Sequence, residues 1–169
     1  LIGGVVTDEA TLQRRGHEPA GHLSAAGSDV TQVRRQTGAR RLIADFVAGA
    51  AEQLSPDNAP EHWDVIEGQG ALFHPAYAGV TLGLLHGSQP DALVLCHDPS
   101  RETIETYPDF PMPDLQVAID RYVEAARLTN RALRCVGLSI NSSTLSDEAW
   151  ARYATEQSQR LKLPVVDPL

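Results

Sequence analysis

The sequence has 169 residues, of which 42% are hydrophobic and 21% charged, and this predicts one globular domain with a real core. The net charge of −8 argues against a nucleic-acid partner, because phosphate binding needs clustered Lys and Arg. No apolar stretch approaches the ~20 residues of a membrane helix, and no signal peptide is visible. The two cysteines, Cys96 and Cys135, argue against a disulfide framework and favour a reducing cytoplasm.

The first forty residues differ from the rest of the chain. A short strand is expected at residues 1–6, but the Gly, His, Arg and Gln that follow have no sustained periodicity. Residues 1–40 are therefore predicted to form an irregular segment, either a remnant or mobile, and residues 41–169 one α/β domain. The first residue is Leu1 rather than Met, as in a fragment or a processed chain.

The regular part of the chain alternates helices and strands. The predicted elements are helix 42–54, strand 62–66, helix 76–86, strand 92–96, helix 114–128, strand 135–140, a helix from Ser146 and strand 163–166. Asp114 and Ser146 are the expected N-caps of their helices. Such alternation is typical of right-handed βαβ crossovers, so we predict a three-layer α/β fold with a mostly parallel sheet flanked by helices.

Polar residues follow three of the predicted strands at the point where each strand ends. Glu67 follows the first, His97 and Asp98 the second, and Asn141 the third. In open parallel sheets, ligands bind outside the carboxyl ends of the strands. The coincidence predicts a ligand site at this edge of the sheet.

The sharpest local feature is the run Glu67-Gly68-Gln69-Gly70. Two glycines let the backbone turn tightly and expose N–H groups that suit anions, while the carboxylate could hold Mg²⁺ or take a proton. The alternative is a tight turn whose Glu caps a neighbouring helix. His74, four residues later, could act as a base or bind a phosphate, and a loop histidine bonded to the backbone is the alternative.

The run from His97 to Arg101 is the second polar segment. Arg101 could clamp a carboxylate and Asp98 could orient His97, although a polar turn with an internal ion pair explains the same residues. Asn141 could read a base or another amide-bearing ligand, and an Asx-turn is the alternative. No metal site is predicted, since the histidines lack the i, i+4 or Cys-paired spacing of zinc ligands.

Several unusual motifs together resemble one known family. They are Ala44-Asp45-Phe46, Trp63-Asp64-Val65-Ile66-Glu67-Gly68-Gln69-Gly70, Leu72-Phe73-His74-Pro75, the run 79–87, Cys96-His97-Asp98-Pro99, Arg127-Leu128-Thr129-Asn130 and the run 163–168. This part of the chain, about residues 41–169, resembles the C-terminal P-loop domain of the D-glutamate N-acetyltransferase family, long catalogued as a domain of unknown function.

The resemblance implies a P-loop NTPase-like fold, related in outline to dethiobiotin synthetase. It also implies an α/β domain upstream, and transfer of acetyl from acetyl-CoA, as co-substrate, to the amino group of D-glutamate or a related D-amino acid. By likeness, Glu67 stands where related folds keep an acidic residue near metal or phosphate, and Asn141 near a nucleotide-reading strand end. The sequence departs from the pattern because residues 1–40 supply no Gly-rich loop with a lysine, which a Mg-nucleotide would need.

The leading hypothesis is therefore a cytoplasmic enzyme, an amino-acid N-acetyltransferase. Glu67 or His74 would be the general base, backbone N–H groups of residues 68–70 would stabilise the oxyanion, and Arg101 would fix the substrate carboxylate. The expected partners are a small amino acid, an acyl-CoA and further copies of the chain, with no nucleic acid or membrane. The alternatives are a Mg-ATP-dependent enzyme of the dethiobiotin synthetase-like class and a non-catalytic, oligomerising remnant.

Overall fold

A computed structural model describes residues 2–7, 43–59, 61–68 and 70–168, with side chains described from residue 46 onward. Most of the predicted irregular segment and Gln69 lie outside these residues. The elements are β1 (Ile2–Thr7), α1 (Ile43–Leu54), β2 (Asp64–Glu67), α2 (Ala78–Ser88), β3 (Ala92–His97), β4 (Thr103–Ile104), β5 (Tyr107–Pro111), α3 (Leu115–Ala126), β6 (Arg134–Ile140), α4 (Asp147–Leu161) and β7 (Val165–Val166).

Five strands form the main sheet, in the order β2-β1-β3-β6-β7. The pairs β3–β6 and β6–β7 are parallel, whereas β1 is antiparallel to both of its neighbours. Four of the five strands thus run in one direction. The parallel pairs need crossovers, which α3 and α4 provide. The prediction of a mostly parallel sheet flanked by helices is confirmed.

The apolar core lies against one face of this sheet. The buried strand residues of that face are Ile66, Leu93, Leu95, Leu138 and Ile140. They belong to one cluster with the inner sides of α3 and the end of α4. On the opposite face, Val65 is 43% exposed and Val166 is 52% exposed.

Strand alternation decides which face each predicted site residue takes. Side chains two apart along a strand share a face, so Glu67 lies on the face of Val65, away from the core. His97, by the same rule, lies on the core face with Leu95. The carboxyl edge of the sheet therefore carries candidate site residues on both of its faces.

Helices α1 and α2 touch through glycine. A Cβ added to Gly83 would lie 2.5 Å from Val47 Cγ1, and one added to Gly87 would lie 2.0 Å from the Ala48 carbonyl oxygen. Neither backbone could approach so closely with a side chain at these positions. Gly83 and Gly87 thus serve helix packing.

Both predicted N-caps are confirmed. The Asp114 carboxylate accepts a hydrogen bond from the Gln116 N–H at 2.8 Å, and the Ser146 hydroxyl accepts one from the Ala149 N–H at 3.3 Å. Each bond satisfies a backbone donor that the first helical turn leaves unpaired. None of the helices in the described part of the chain is long and apolar enough to cross a bilayer.

The hairpin β4–β5 is the element that the sequence prediction lacks. Thr103 pairs with Pro111 and Ile104 with Tyr107, and Thr106 in the turn has a φ of +66°. Two prolines, Pro108 and Pro111, lie within β5, and proline within a run argues against a strand. The hairpin matters because it brings Tyr107 to the loop that follows β2.

Candidate functional site

The loop that leaves the carboxyl end of β2 turns sharply at Gly70. Its φ is +70°, a left-handed conformation that L side chains rarely adopt. A Cβ at this position would also lie 2.7 Å from Tyr77 Cβ. Backbone conformation and close approach both require glycine here, so the last residue of the Glu67–Gly70 motif has a structural role.

The same loop is fixed to α3 from outside. The Leu72 N–H donates a hydrogen bond to the Tyr122 hydroxyl at 2.9 Å, and the Tyr122 side chain is buried. Burial raises the pKa of Tyr122, which keeps the phenol protonated at neutral pH. Leu72 and Phe73 pack against the apolar core. The loop is therefore held by contacts distant in sequence.

His74 lies in a row of aromatic rings. Its ring centroid is 4.5 Å from that of Tyr77 and 5.1 Å from that of Tyr107, and Tyr107 lies 5.9 Å from Phe110. We call these four side chains the ring row. The His74–Tyr107 and Tyr107–Phe110 contacts are edge-to-face, a favoured aromatic geometry. His74 Nδ1 accepts a hydrogen bond from the Ala76 N–H at 3.1 Å.

Glu67 and Gly68 complete the described part of the motif. The Glu67 side chain is exposed, Gly68 is half-buried, and Gln69 lies outside the described residues. Glu67 is the last residue of β2, and His74 lies in the loop that follows it. Among the described residues, no hydrogen bond joins their side chains. The Glu67 side chain thus lies exposed on the face of the sheet opposite the core.

In the turn that follows β3, the polar residues pair with one another. Asp98 accepts hydrogen bonds from the Ser100 N–H at 3.0 Å and from the Ser100 hydroxyl at 2.6 Å, and Arg101 Nε lies 3.5 Å from its carboxylate. These hydrogen bonds from Ser100, with help from Arg101, hold the pKa of Asp98 below its usual range. Arg101 also pairs with Glu105 at 3.0 Å. To clamp a substrate carboxylate, Arg101 would have to exchange these partners.

His97 is a neutral side chain at this edge. Burial, the largest cause, lowers its pKa to about 4, and the neighbouring Asp98 carboxylate opposes that shift only in part. Its Nδ1 atom is buried and has no hydrogen-bond partner among the described residues. Asp98 is bonded to Ser100 instead, so the structure does not show it orienting His97. The His97 carbonyl oxygen accepts from the Asn141 N–H at 2.9 Å, which brings the ends of β3 and β6 together.

Asn141 begins the loop that follows β6. Its side-chain oxygen accepts from the Ser143 N–H at 3.1 Å, which is an Asx-turn, and the rest of the exposed amide faces solvent. The Ser142 hydroxyl donates to the Asp167 carboxylate, a contact that joins this loop to the segment after β7. Sequence reasoning missed this pair, because its members lie 25 positions apart in the chain. The only sequence signal was that Asp167 belongs to the last family-like motif.

A Mg-nucleotide would need a phosphate loop and oxygen ligands. The only lysine of the whole sequence is Lys162, which ends α4 and follows no glycine-rich turn. The described ranges contain no group of three or more His, Cys, Asp or Glu side chains placed to hold a metal ion. The residues described here do not fit such a group, so we derive no step through it.

The family comparison agrees with this description of the fold. Residues 11–169 match the family described as "Domain of unknown function (DUF1611_C) P-loop domain". The chain belongs to that family. The predicted P-loop-like α/β fold and the predicted family are both confirmed.

Two relatives carry a functional name. A protein from Tritonibacter scottomollicae named D-glutamate N-acetyltransferase is 47% identical over 127 residues, which are 75% of this chain and 38% of the relative. A protein of the same name from Pseudoalteromonas sp is 50% identical over 128 residues, 76% of this chain and 39% of the relative. The chain therefore spans well under half the length of the relatives it matches.

A solved structure is similar as well. The crystal structure of a DUF1611 family protein from Anabaena variabilis has a TM-score of 0.65 and 33% sequence identity. The similarity covers 73% of this chain and 36% of that one. Here too the chain corresponds to part of a longer protein.

Proposed function

We propose that this chain is the P-loop-like part of an enzyme that transfers acetyl from acetyl-CoA to the amino group of D-glutamate or a related D-amino acid. The observation that carries the proposal is the 47–50% identity, over three quarters of the chain, with two relatives named D-glutamate N-acetyltransferase. The acetyl donor and the acceptor are part of the proposal.

The proposed chemistry needs a group that accepts a proton. An α-amino group is largely protonated at neutral pH and must become the free amine before it can attack a thioester. The amine nitrogen forms a bond to the carbonyl carbon, the C–S bond breaks, and the departing thiolate takes up a proton to give CoA. Glu67, exposed at the end of β2, and His74, in the following loop, are the two candidates for this base.

The loop also provides candidates for the remaining roles. Backbone N–H groups of residues 68–70 would face the oxygen that becomes negative, and the turn at Gly70 is fixed by its contact with Tyr77. Arg101 would bind the acceptor carboxylate after exchanging its present partners. His97, Asp98 and the amide of Asn141 would line the ligand site at the neighbouring strand ends.

We also propose a homo-oligomer that works in the cytoplasm on small molecules. Leu128 is 77% exposed and lines a mainly apolar groove of about 470 Å³ together with Leu72, Phe73, Arg121, Glu124 and Ala125, a surface that a second copy could cover. Both cysteines are free thiols, in keeping with a reducing compartment. Sedimentation of the wild type and of Leu128→Glu tests the oligomer, which the charge should dissociate.

The decisive measurement is acetyl-CoA consumption with D-glutamate, with L-glutamate and with no acceptor. The 169-residue chain is compared with the full-length relative from Tritonibacter scottomollicae as positive control. We expect turnover that depends on D-glutamate and is lost in the double variant Glu67→Ala, His74→Ala. If the double variant turns over as fast as the wild type, the proposed bases are wrong.

The nucleotide-dependent alternative keeps one supporting observation, the family's description as a P-loop domain. It predicts that Mg-ATP raises the melting temperature, because a ligand stabilises only a fold that binds it. The acetyltransferase proposal predicts the same effect from acetyl-CoA. A shift with Mg-ATP alone would favour the alternative.

A further inference from the structure

The imidazole ring of His74 is held on several sides. Tyr77 and Tyr107 contact the ring at centroid distances of 4.5 and 5.1 Å, and the Ala76 N–H donates to Nδ1 at 3.1 Å. Tyr77 is itself positioned by the close approach of Gly70. The plane and the direction of the imidazole are therefore set by the fold.

The hydrogen bond to Nδ1 determines where the proton of the neutral ring lies. An imidazole nitrogen that accepts a hydrogen bond carries a lone pair and no proton, so the proton of neutral His74 is on Nε2. Nε2 is then a donor. The one nitrogen that could take up a proton already binds a backbone N–H, which suits a base poorly.

Resting on the proposed function, we infer that His74 is a hydrogen-bond donor to the carbonyl oxygen of the acetyl thioester and that Glu67 is the general base. When the amine attacks, this oxygen becomes negative, and a preorganised donor stabilises it without moving. Arg101 is already the proposed partner of the acceptor carboxylate, so the carbonyl oxygen of the thioester is the acceptor that remains for Nε2–H. Tyr77 and Tyr107 are positioning residues.

The test compares two substitutions of His74, one that keeps a hydrogen-bond donor in the side chain and one that does not. Glutamine offers an amide N–H near the place of Nε2–H, whereas alanine offers none. In the full chain with acetyl-CoA and D-glutamate, His74→Ala should lower kcat by roughly 10²- to 10³-fold, the usual effect of losing one oxyanion donor. His74→Gln should stay within roughly tenfold of the wild type by the same reasoning. His62→Ala, a histidine outside this loop, is the matched control and should leave kcat unchanged.

Three kinetic results would overturn the inference. One is equal loss in His74→Gln and His74→Ala, as expected of a base. Another is unchanged kcat in His74→Ala. The third is a rise in KM for D-glutamate with constant kcat, which would place the donor on the acceptor carboxylate.

A second measurement does not depend on turnover. The ¹⁵N shifts of the His74 imidazole should identify a neutral ring protonated on Nε2 in the wild type, and a ring protonated on Nδ1 would overturn the assignment. If the wild type transfers no acetyl group at all, the proposed function fails. The donor assignment then stands or falls on these shifts alone.

Discussion

The two loops at the carboxyl edge of the sheet are held in different ways. In the loop after β2, residues 70–77 are fixed by remote partners: the Tyr122 hydroxyl of α3 accepts a hydrogen bond from the Leu72 N–H, and Tyr107 of the hairpin contacts His74. The turn after β3, residues 98–101, is closed by its own members, since Asp98 bonds to Ser100 and Arg101.

This difference separates two kinds of polar motif. In the turn after β3 the charges satisfy one another, and exposed pairs of this kind add little stability. In the loop after β2 the neighbours fix the backbone and the histidine ring while Glu67 stays exposed. A ligand site needs side chains that the fold orients but whose polar groups are not already paired within the protein. The loop after β2 is therefore the better candidate for a ligand site.

The largest effect is expected from Gly70→Ala. The new Cβ would lie 2.7 Å from Tyr77 Cβ, and the residue would keep a φ of +70°. We expect a loss of about 2–5 kcal/mol in the free energy of unfolding, from the left-handed backbone and the overpacking together. Urea unfolding measures it. Gly79→Ala is the control, because none of the described residues has an atom within 4 Å of a Cβ added there, and it should be neutral or stabilising.

The next largest effect is expected from Tyr122→Phe. The change leaves the Leu72 N–H without the acceptor it has at 2.9 Å, in a partly buried position. The expected cost is about 1–3 kcal/mol. Amide hydrogen exchange of Leu72 should accelerate with it. Tyr153→Phe is the matched change, since the Tyr153 hydroxyl has no hydrogen bond among the described residues. A similar cost in that variant would contradict a special role for the hydrogen bond between Leu72 and Tyr122.

A pH effect of intermediate size is expected from His97. Its pKa is about 4 in the folded protein and near 6.5 when unfolded, so the unfolded state binds more protons between these values. Stability should fall as pH is lowered from about 6.5 towards 4, by on the order of 1–2 kcal/mol once partial solvation is allowed for. Unfolding of the wild type and of His97→Gln at pH 7 and pH 4.5 gives the difference. Equal losses would contradict the assignment.

The smallest effect is expected from Asp98→Asn in the self-contained turn. Its partner Arg101 is 49% exposed, and ion pairs of this kind contribute about 0–1 kcal/mol. The pKa of Asp98 is lowered, so the contribution is present at neutral pH and lost as the carboxylate is protonated in acid. A stability loss at pH 7 well above this range would mean that the turn, too, is coupled to the rest of the fold.

The amino-acid sequence by itself determined the order of the helices and of the main-sheet strands between residues 41 and 169, both helix caps and the polar strand ends. These features follow from local periodicity and local hydrogen bonds, which a short window of sequence contains. The sequence predicted α2 despite its glycines, but it did not show that Gly83 and Gly87 contact α1.

Only the tertiary structure decided the rest. The hairpin was hidden by Pro108 and Pro111, and the antiparallel insertion of β1 between β2 and β3 depends on pairing across most of the chain. Tyr107, which makes the edge-to-face contact with His74, is 33 positions away, and Tyr122, which accepts the hydrogen bond from the Leu72 N–H, is 50 positions away. Such contacts are set by strand register and helix packing, to which residues far apart in the sequence contribute together.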